Sequence, residues 1–260
     1  MAVLFFIILG AIIGSFLAAL TWRWPHGMSI FDGRSVCPKC KHQIRAIDNV
    51  PIFSFLMLGG KCRNCDKKIS KRYFIIECSS ALMFGATYLL FGRISSNLVW
   101  LSDFSPLIAL SVLLTVESIL LAIFVIDLEH QYIPDTLTLL LWGTMFSIFI
   151  ISGNASLYSY LAAGFGSAVF LLLVHLATLG RGMGLGDVKL AVAVGFVLGY
   201  PLAVLWMFSS FILGSIVGLM LIALGVAKFK QKIAFGPFLV GGFFLTIIFG
   251  YALLEKAALI

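Results

Sequence analysis

Long unbroken apolar runs, rather than alternating positions, set the pattern of this chain. The first covers Ala2–Trp22, and a polar stretch, 23–72, follows it. Further apolar runs are Tyr73–Phe91, Leu107–Ile126, Leu137–Ile151, Tyr158–Leu179, Val188–Tyr200, Leu202–Ala227 and Phe235–Leu254. About 20 apolar residues cross a bilayer as an α-helix. The pattern therefore predicts about eight transmembrane helices, with the run before Pro201 a short one. Continuous runs exclude a membrane β-barrel, whose strands alternate. Ala2–Trp22 is longer than a signal-peptide core and lacks a basic start and a small-residue cleavage site, so it reads as a retained span. Gly164, Gly166, Gly214 and Gly218 lie inside runs, where they suit close helix packing. There is no internal repeat and no low-complexity linker. The expected fold is an all-α polytopic membrane protein. It divides into a first helix (1–22), a cytoplasmic loop between helices 1 and 2 (23–72) and a helical remainder (73–260).

Composition agrees with that picture. The 260 residues are 61% hydrophobic and 11% charged, against about 25% charged in soluble domains. Such a chain cannot cover a water-facing surface. Its net charge is +7, yet eleven of the 18 Lys and Arg fall between Arg23 and Arg72. In a membrane protein a basic loop first reports topology, so no nucleic-acid partner is implied. With the 23–72 loop in the cytoplasm, eight spans put Arg181, Lys189, Lys228, Lys230 and Lys232 on the same side, and only Arg93 and Lys256 opposite. That 16-to-2 imbalance is the positive-inside bias.

Acidic residues are scarce, eleven in all, and four of them lie in two segments at span ends. One segment is Asp127-Leu128-Glu129-His130-Gln131-Tyr132-Ile133-Pro134-Asp135; the other is Gly184-Leu185-Gly186-Asp187. The charge tally puts both on the cytoplasmic face, with Asp127 closing the third span and Asp187 opening the sixth. Two carboxylates brought close cannot both ionise, so they share a proton. One can then take a proton from water while the other polarises an amide carbonyl. Plainer roles are also open. Asp187 and Asp135 suit helix N-caps, Asp127 and Glu129 suit solvated loop charges, and Glu117 suits a hydrogen bond to a neighbouring helix. His175 reads as a packed polar group.

Cys37-Pro38-Lys39-Cys40 and Cys62-Arg63-Asn64-Cys65 form paired CxxC motifs within the loop. That spacing reads as a tetrahedral zinc ribbon. The cytoplasm disfavours stable disulfides, and a small loop gains a staple from structural zinc. Cys78 reads as a packing residue within a span.

Taken in order, these motifs resemble the type IV prepilin peptidases, membrane aspartic peptidases of the GxGD type. The resemblance rests on Gly14-Ser15-Phe16-Leu17 before Arg23-Trp24-Pro25, on CPKC, IDNVPIFSFLMLGGKCRNC and ISKRYFIIE in the loop, on Asp127 leading into IPD, on Gly184–Asp187, and on Phe235-Gly236-Pro237-Phe238. It implies cleavage of the short basic leader of prepilins or pseudopilins at the cytoplasmic face of the bacterial inner membrane, after a Gly and before a mature N-terminus that is usually Phe. It implies Asp127 and Asp187 as the catalytic pair. It also implies N-methylation of the new amine, with S-adenosylmethionine as donor and Glu77 near the methylation or substrate site, or else simply packed at a helix end. Ala18 stands where the family usually has Asn, and DNVP replaces a bulkier version. The glycines Gly184 and Gly186 are expected to leave room for the scissile strand, and the acidic Glu129 to meet the basic leader. Peptidase activity without methylation, a zinc-ribbon adaptor and a transporter are the competing readings. A transporter would place its charges mid-bilayer.

Overall fold

The computed structural model describes residues 1–30, 35–153, 156–180, 182–226, 228, 231 and 233–256. Four members of the charge tally, Arg34, Arg181, Lys230 and Lys232, lie outside them. The described chain forms helices α1 (Ala2–Arg23), α2 (Phe53–Met57), α3 (Lys71–Asn97), α4 (Pro106–His130), α5 (Asp135–Ser152), α6 (Leu157–Ala177), α7 (Leu185–Leu198), α8 (Leu202–Ala223) and α9 (Gly236–Lys256). Apart from the short α2, these are the eight expected apolar helices. All but α7 have the length and composition to cross a membrane. With 14 residues, α7 spans only about 21 Å at 1.5 Å per residue.

The chain divides into two compact units, Met1–Leu90 and Phe91–Ile260. In the first, α1 and the start of α3 meet through small residues. A Cβ at Gly14 would fall 2.8 Å from the Glu77 Cα, and one at Gly10 would fall 2.6 Å from the Ser80 carbonyl. Lipid offers little hydrophobic drive for association, so close backbone approach of this kind carries the packing. Phe6 stacks on Tyr88 at 4.6 Å. Arg72 closes the end of α1, donating to the Ala18 carbonyl at 2.8 Å and to the Thr21 hydroxyl at 2.6 Å. The free carbonyls at a helix end need such donors.

In the second unit, α7 packs on α5, α6, α8 and α9, while α4 packs on α9 and α5. From Leu190 to Leu198 every α7 residue except Val192 is buried. Its sequence is apolar all round because it has protein on all sides. Gly164 of α6 and Gly195 of α7 let the two backbones touch: a Cβ on Gly195 would lie 2.9 Å from the Gly164 Cα. Trp100 donates its indole N–H to the Val197 carbonyl at 3.0 Å, and Trp206 to Leu239 at 2.7 Å.

Candidate active site and metal centre

Asp127 lies one turn before the end of α4 and is buried. Gln131 follows the helix in the left-handed conformation (φ 55°), its N–H donating to the Asp127 carbonyl at 2.9 Å. The turn sends the chain through Tyr132-Ile133-Pro134 into α5. Asp187 sits in the first turn of α7, also buried. Both carboxylates line one cavity of about 220 Å³, together with Gln131, Tyr132, Ile133, Asp135, Gly184 and Gly186. The two segments singled out by their acidity thus come together.

Each carboxylate is held by one glycine amide. Gly236 N–H donates to Asp127 Oδ2 at 2.9 Å, and Gly184 N–H donates to Asp187 Oδ2 at 3.0 Å. Gly236 must be glycine for steric reasons, because a Cβ there would lie 2.5 Å from Asp127 Oδ2 and 3.2 Å from the Ile133 Cδ1. Ile133 also fills the space beside Gly186, whose Cβ would lie 3.1 Å from the Ile133 Cβ. One buried isoleucine therefore wedges the IPD, GxGD and FGPF segments together. On the other side of the GxGD turn, the His175 Nδ1–H donates to the Met183 carbonyl at 2.7 Å.

Several sequence expectations change here. Asp187 is not the N-cap residue of α7. Gly184 is the N-cap residue and Asp187 the third helical position, from which its carboxylate reaches back to the N-cap amide. This is the acidic half of a capping box. Asp135 makes no cap hydrogen bond on α5. It pairs with Lys189 of α7 at 2.7 Å, both side chains being more than half exposed. Glu129 is exposed and is not among the residues lining the cavity. The space freed at Gly186 is taken by Ile133 rather than left open, whereas a Cβ at Gly184 would meet Asp187 Oδ2 only at ordinary contact distance, 3.4 Å. Sequence patterns mark Ile133 only as part of the IPD motif and His175 only as a packed polar group. They mark Gly236 only as part of a motif.

The four loop cysteines also converge. The sulfurs of Cys37, Cys40, Cys62 and Cys65 all lie within 4.8 Å of one another. A tetrahedral zinc with Zn–S near 2.3 Å separates its sulfurs by about 3.8 Å, and the Cys37–Cys65 pair stands at 4.0 Å. The donor set and spacing fit zinc. The loop contains a local repeat in its backbone that its sequence does not show. Residues 36–43 and 61–68 each form a turn closed by one antiparallel bridge, Val36 to Gln43 and Lys61 to Lys68. In each the residue after the second cysteine is left-handed, Lys41 at φ 59° and Asp66 at φ 53°. The Cys40 amide, opposed by burial and helped by the Lys39 amide, pulls the Cys37 thiol down to about 6. At Cys65 the Lys67 amide is outweighed by burial and the three neighbouring sulfurs, which push the thiol up to about 11. A divalent cation at the centre relieves that crowding of negative charge.

Glu77 is fully engaged. Its carboxylate accepts the Ile52 N–H at 2.7 Å and a hydrogen bond from Ser15. It fastens the loop to α3. Asp48 and Arg63 tie the IDNV segment to the second CxxC turn through contacts of 2.6–3.0 Å, and the guanidinium holds the Asp48 carboxyl below its usual range.

Residues 8–91 match the family described as the bacterial peptidase A24 N-terminal domain, and residues 114–219 match the type IV leader peptidase family. The chain is 31% identical over 276 residues to a prepilin leader peptidase/N-methyltransferase of Pseudomonas aeruginosa, covering 94% of this chain and 89% of that protein. It is 30% identical over 248 residues to one from Bacillus subtilis, covering 95% and 94%. It is 33% identical over 260 residues to one from Neisseria gonorrhoeae, covering 88% and 84%. No solved structure matches.

Proposed function

The chain belongs to the type IV leader peptidase family, and from that premise we propose that it removes the short basic leader of type IV prepilins or pseudopilins and N-methylates the new amine. The observation that carries the peptidase half is the pair of buried carboxylates on one cavity, each steadied by a glycine amide. In this reading Asp127 and Asp187 are the catalytic residues and share one proton. The ionised member takes a proton from water, which attacks the scissile carbonyl while the protonated member hydrogen-bonds the carbonyl oxygen. Collapse of the tetrahedral intermediate returns a proton to the leaving amine. Gly184 borders the scissile strand, which must be unwound there, because helical carbonyls are already hydrogen-bonded.

The charge asymmetry supports an active site facing the cytoplasm of the bacterial inner membrane, where the leader resides. Zinc is the metal we assign to Cys37, Cys40, Cys62 and Cys65, as a structural ion holding the two turns of the loop. When bound, S-adenosylmethionine supplies the methyl group. Glu77 serves methylation by positioning the loop, since its carboxylate is committed to Ile52 and Ser15. Purified enzyme incubated with a short-leader prepilin is expected to release the leader and to leave a methylated N-terminus, read by mass spectrometry. Intact substrate would refute the peptidase reading, and a cleaved, unmethylated product would refute the methylation reading alone.

A further inference from the structure

The loop has an apolar face that neither zinc nor the peptidase chemistry explains. Within 47–57, Ile47, Val50, Phe53, Leu56 and Met57 point outward, and Phe53, Leu56 and Met57 of α2 are 58%, 62% and 71% exposed. A water-facing loop gains nothing from five such side chains in eleven residues. Contiguous exposed apolar surface marks something that covers it.

The level of α2 says what that is. Ile52, the residue before α2, donates its N–H to Glu77, which lies six residues, or about 9 Å, inside α3 from its start at Lys71. Phe55, on the inner side of α2, stacks on Phe74 of the first α3 turn at 5.0 Å. These two contacts draw α2 down beside the first two turns of a helix long and apolar enough to cross a membrane. An interfacial element buries its apolar face about 5–10 Å into the headgroup–acyl boundary, and the Ile52–Glu77 bond holds the start of α2 about 9 Å along α3 from Lys71. The charge distribution fits the same surface. Residues 35–72 carry nine Lys and Arg against Asp48 and Asp66, and Asp48 is neutralised by Arg63. Basic residues at the cytoplasmic leaflet attract anionic lipid.

We propose that α2 is an interfacial anchor, with Phe53, Leu56 and Met57 seated in the headgroup–acyl boundary and the surrounding lysines and arginines facing anionic headgroups. The anchor sets the height of the zinc loop over the membrane. It stands apart from the peptidase assignment, and its test reads no activity.

The test uses full-length protein in nanodiscs of phosphatidylcholine and phosphatidylglycerol doped with a phosphatidylcholine that carries a diazirine on its acyl chain. After illumination, adducts are mapped by peptide mass spectrometry. Leu4 and Ile8 of α1, exposed on a membrane-length helix, are the internal reference. Adducts are expected on Phe53, Leu56 and Met57 at yields comparable to that reference. In the variant L56D/M57D the 53–57 adducts are expected to disappear while those at Leu4 and Ile8 and the zinc content persist. Absence of adducts on 53–57 in the unmodified protein overturns the anchor, as does undiminished labelling there in the variant. Labelling of 53–57 that vanishes with excess prepilin also overturns it, since the face then belongs to the substrate.

Discussion

Gly236 shows how much of this site depends on one missing methyl group. Its N–H holds Asp127, and its Cβ position is occupied by the carboxylate it holds. Replacing it with alanine must displace Asp127, Ile133 or α9 itself. A misplacement of about 1 Å costs on the order of 100-fold in rate, so Gly236→Ala is expected to lower kcat about that much and leave KM nearly unchanged. Steady-state cleavage of a prepilin peptide checks the split. Gly184→Ala is expected to be far milder. The backbone there is extended (φ −83°, ψ 154°) and the added methyl meets only an ordinary contact. Equal losses from the two substitutions would contradict the roles given to them. As candidates that line one cavity, Asp127 and Asp187 were legible in the sequence because charge is scarce in so apolar a chain. Gly236 was not, because a hydrogen bond reaching across 109 residues leaves no local pattern. The capping positions were not legible for a related reason: Asp at the N-cap and Asp three positions later read alike until the first helical residue is known.

At the scale of elements, the four-cysteine loop and its fastening to α3 make separable predictions. Glu77→Ala removes the acceptor of the Ile52 N–H. A hydrogen bond to a charged group contributes about 1.5–3 kcal/mol, so amide exchange over 52–57 is expected to quicken roughly 10- to 100-fold, read by hydrogen exchange, with zinc retained. Replacing Cys37 and Cys62 with Ser takes one ligand from each turn. It is expected to abolish stoichiometric zinc and open residues 35–70 to protease. Metal binding requires thiolates, so protons compete with it. With burial and the neighbouring sulfurs pushing Cys65 up to about 11, zinc affinity is expected to rise with pH through neutrality and to fall on acidification, followed with a chromogenic chelator. The CxxC spacing made this centre readable in advance, but not its local symmetry, because only the cysteines are common to VCPKCKHQ and KCRNCDKK at the ends of the two turns. The helix α7 was legible as apolar and short, but not as surrounded by protein. A helix buried by protein on every side and one buried by lipid have the same composition.

Across the whole molecule, hydropathy and charge give an eight-helix membrane protein with a basic loop, and the order of motifs gives its family. What they do not contain is convergence. The IPD, GxGD and FGPF segments lie far apart in the chain and meet only because α4 and α7 both pack on α9 and α5, with Ile133 between them. In the proposed mechanism Asp127 and Asp187 together hydrolyse the leader peptide bond. The most direct measurement is cleavage of a short-leader prepilin by purified enzyme and by its Asp127→Asn and Asp187→Asn variants, with mass spectrometry of the new N-terminus. The intact enzyme is expected to yield mature pilin. Each variant, present in the membrane at normal levels and carrying its zinc, is expected to leave the leader attached. Mature pilin from either variant at the rate of the unmodified enzyme would contradict that mechanism.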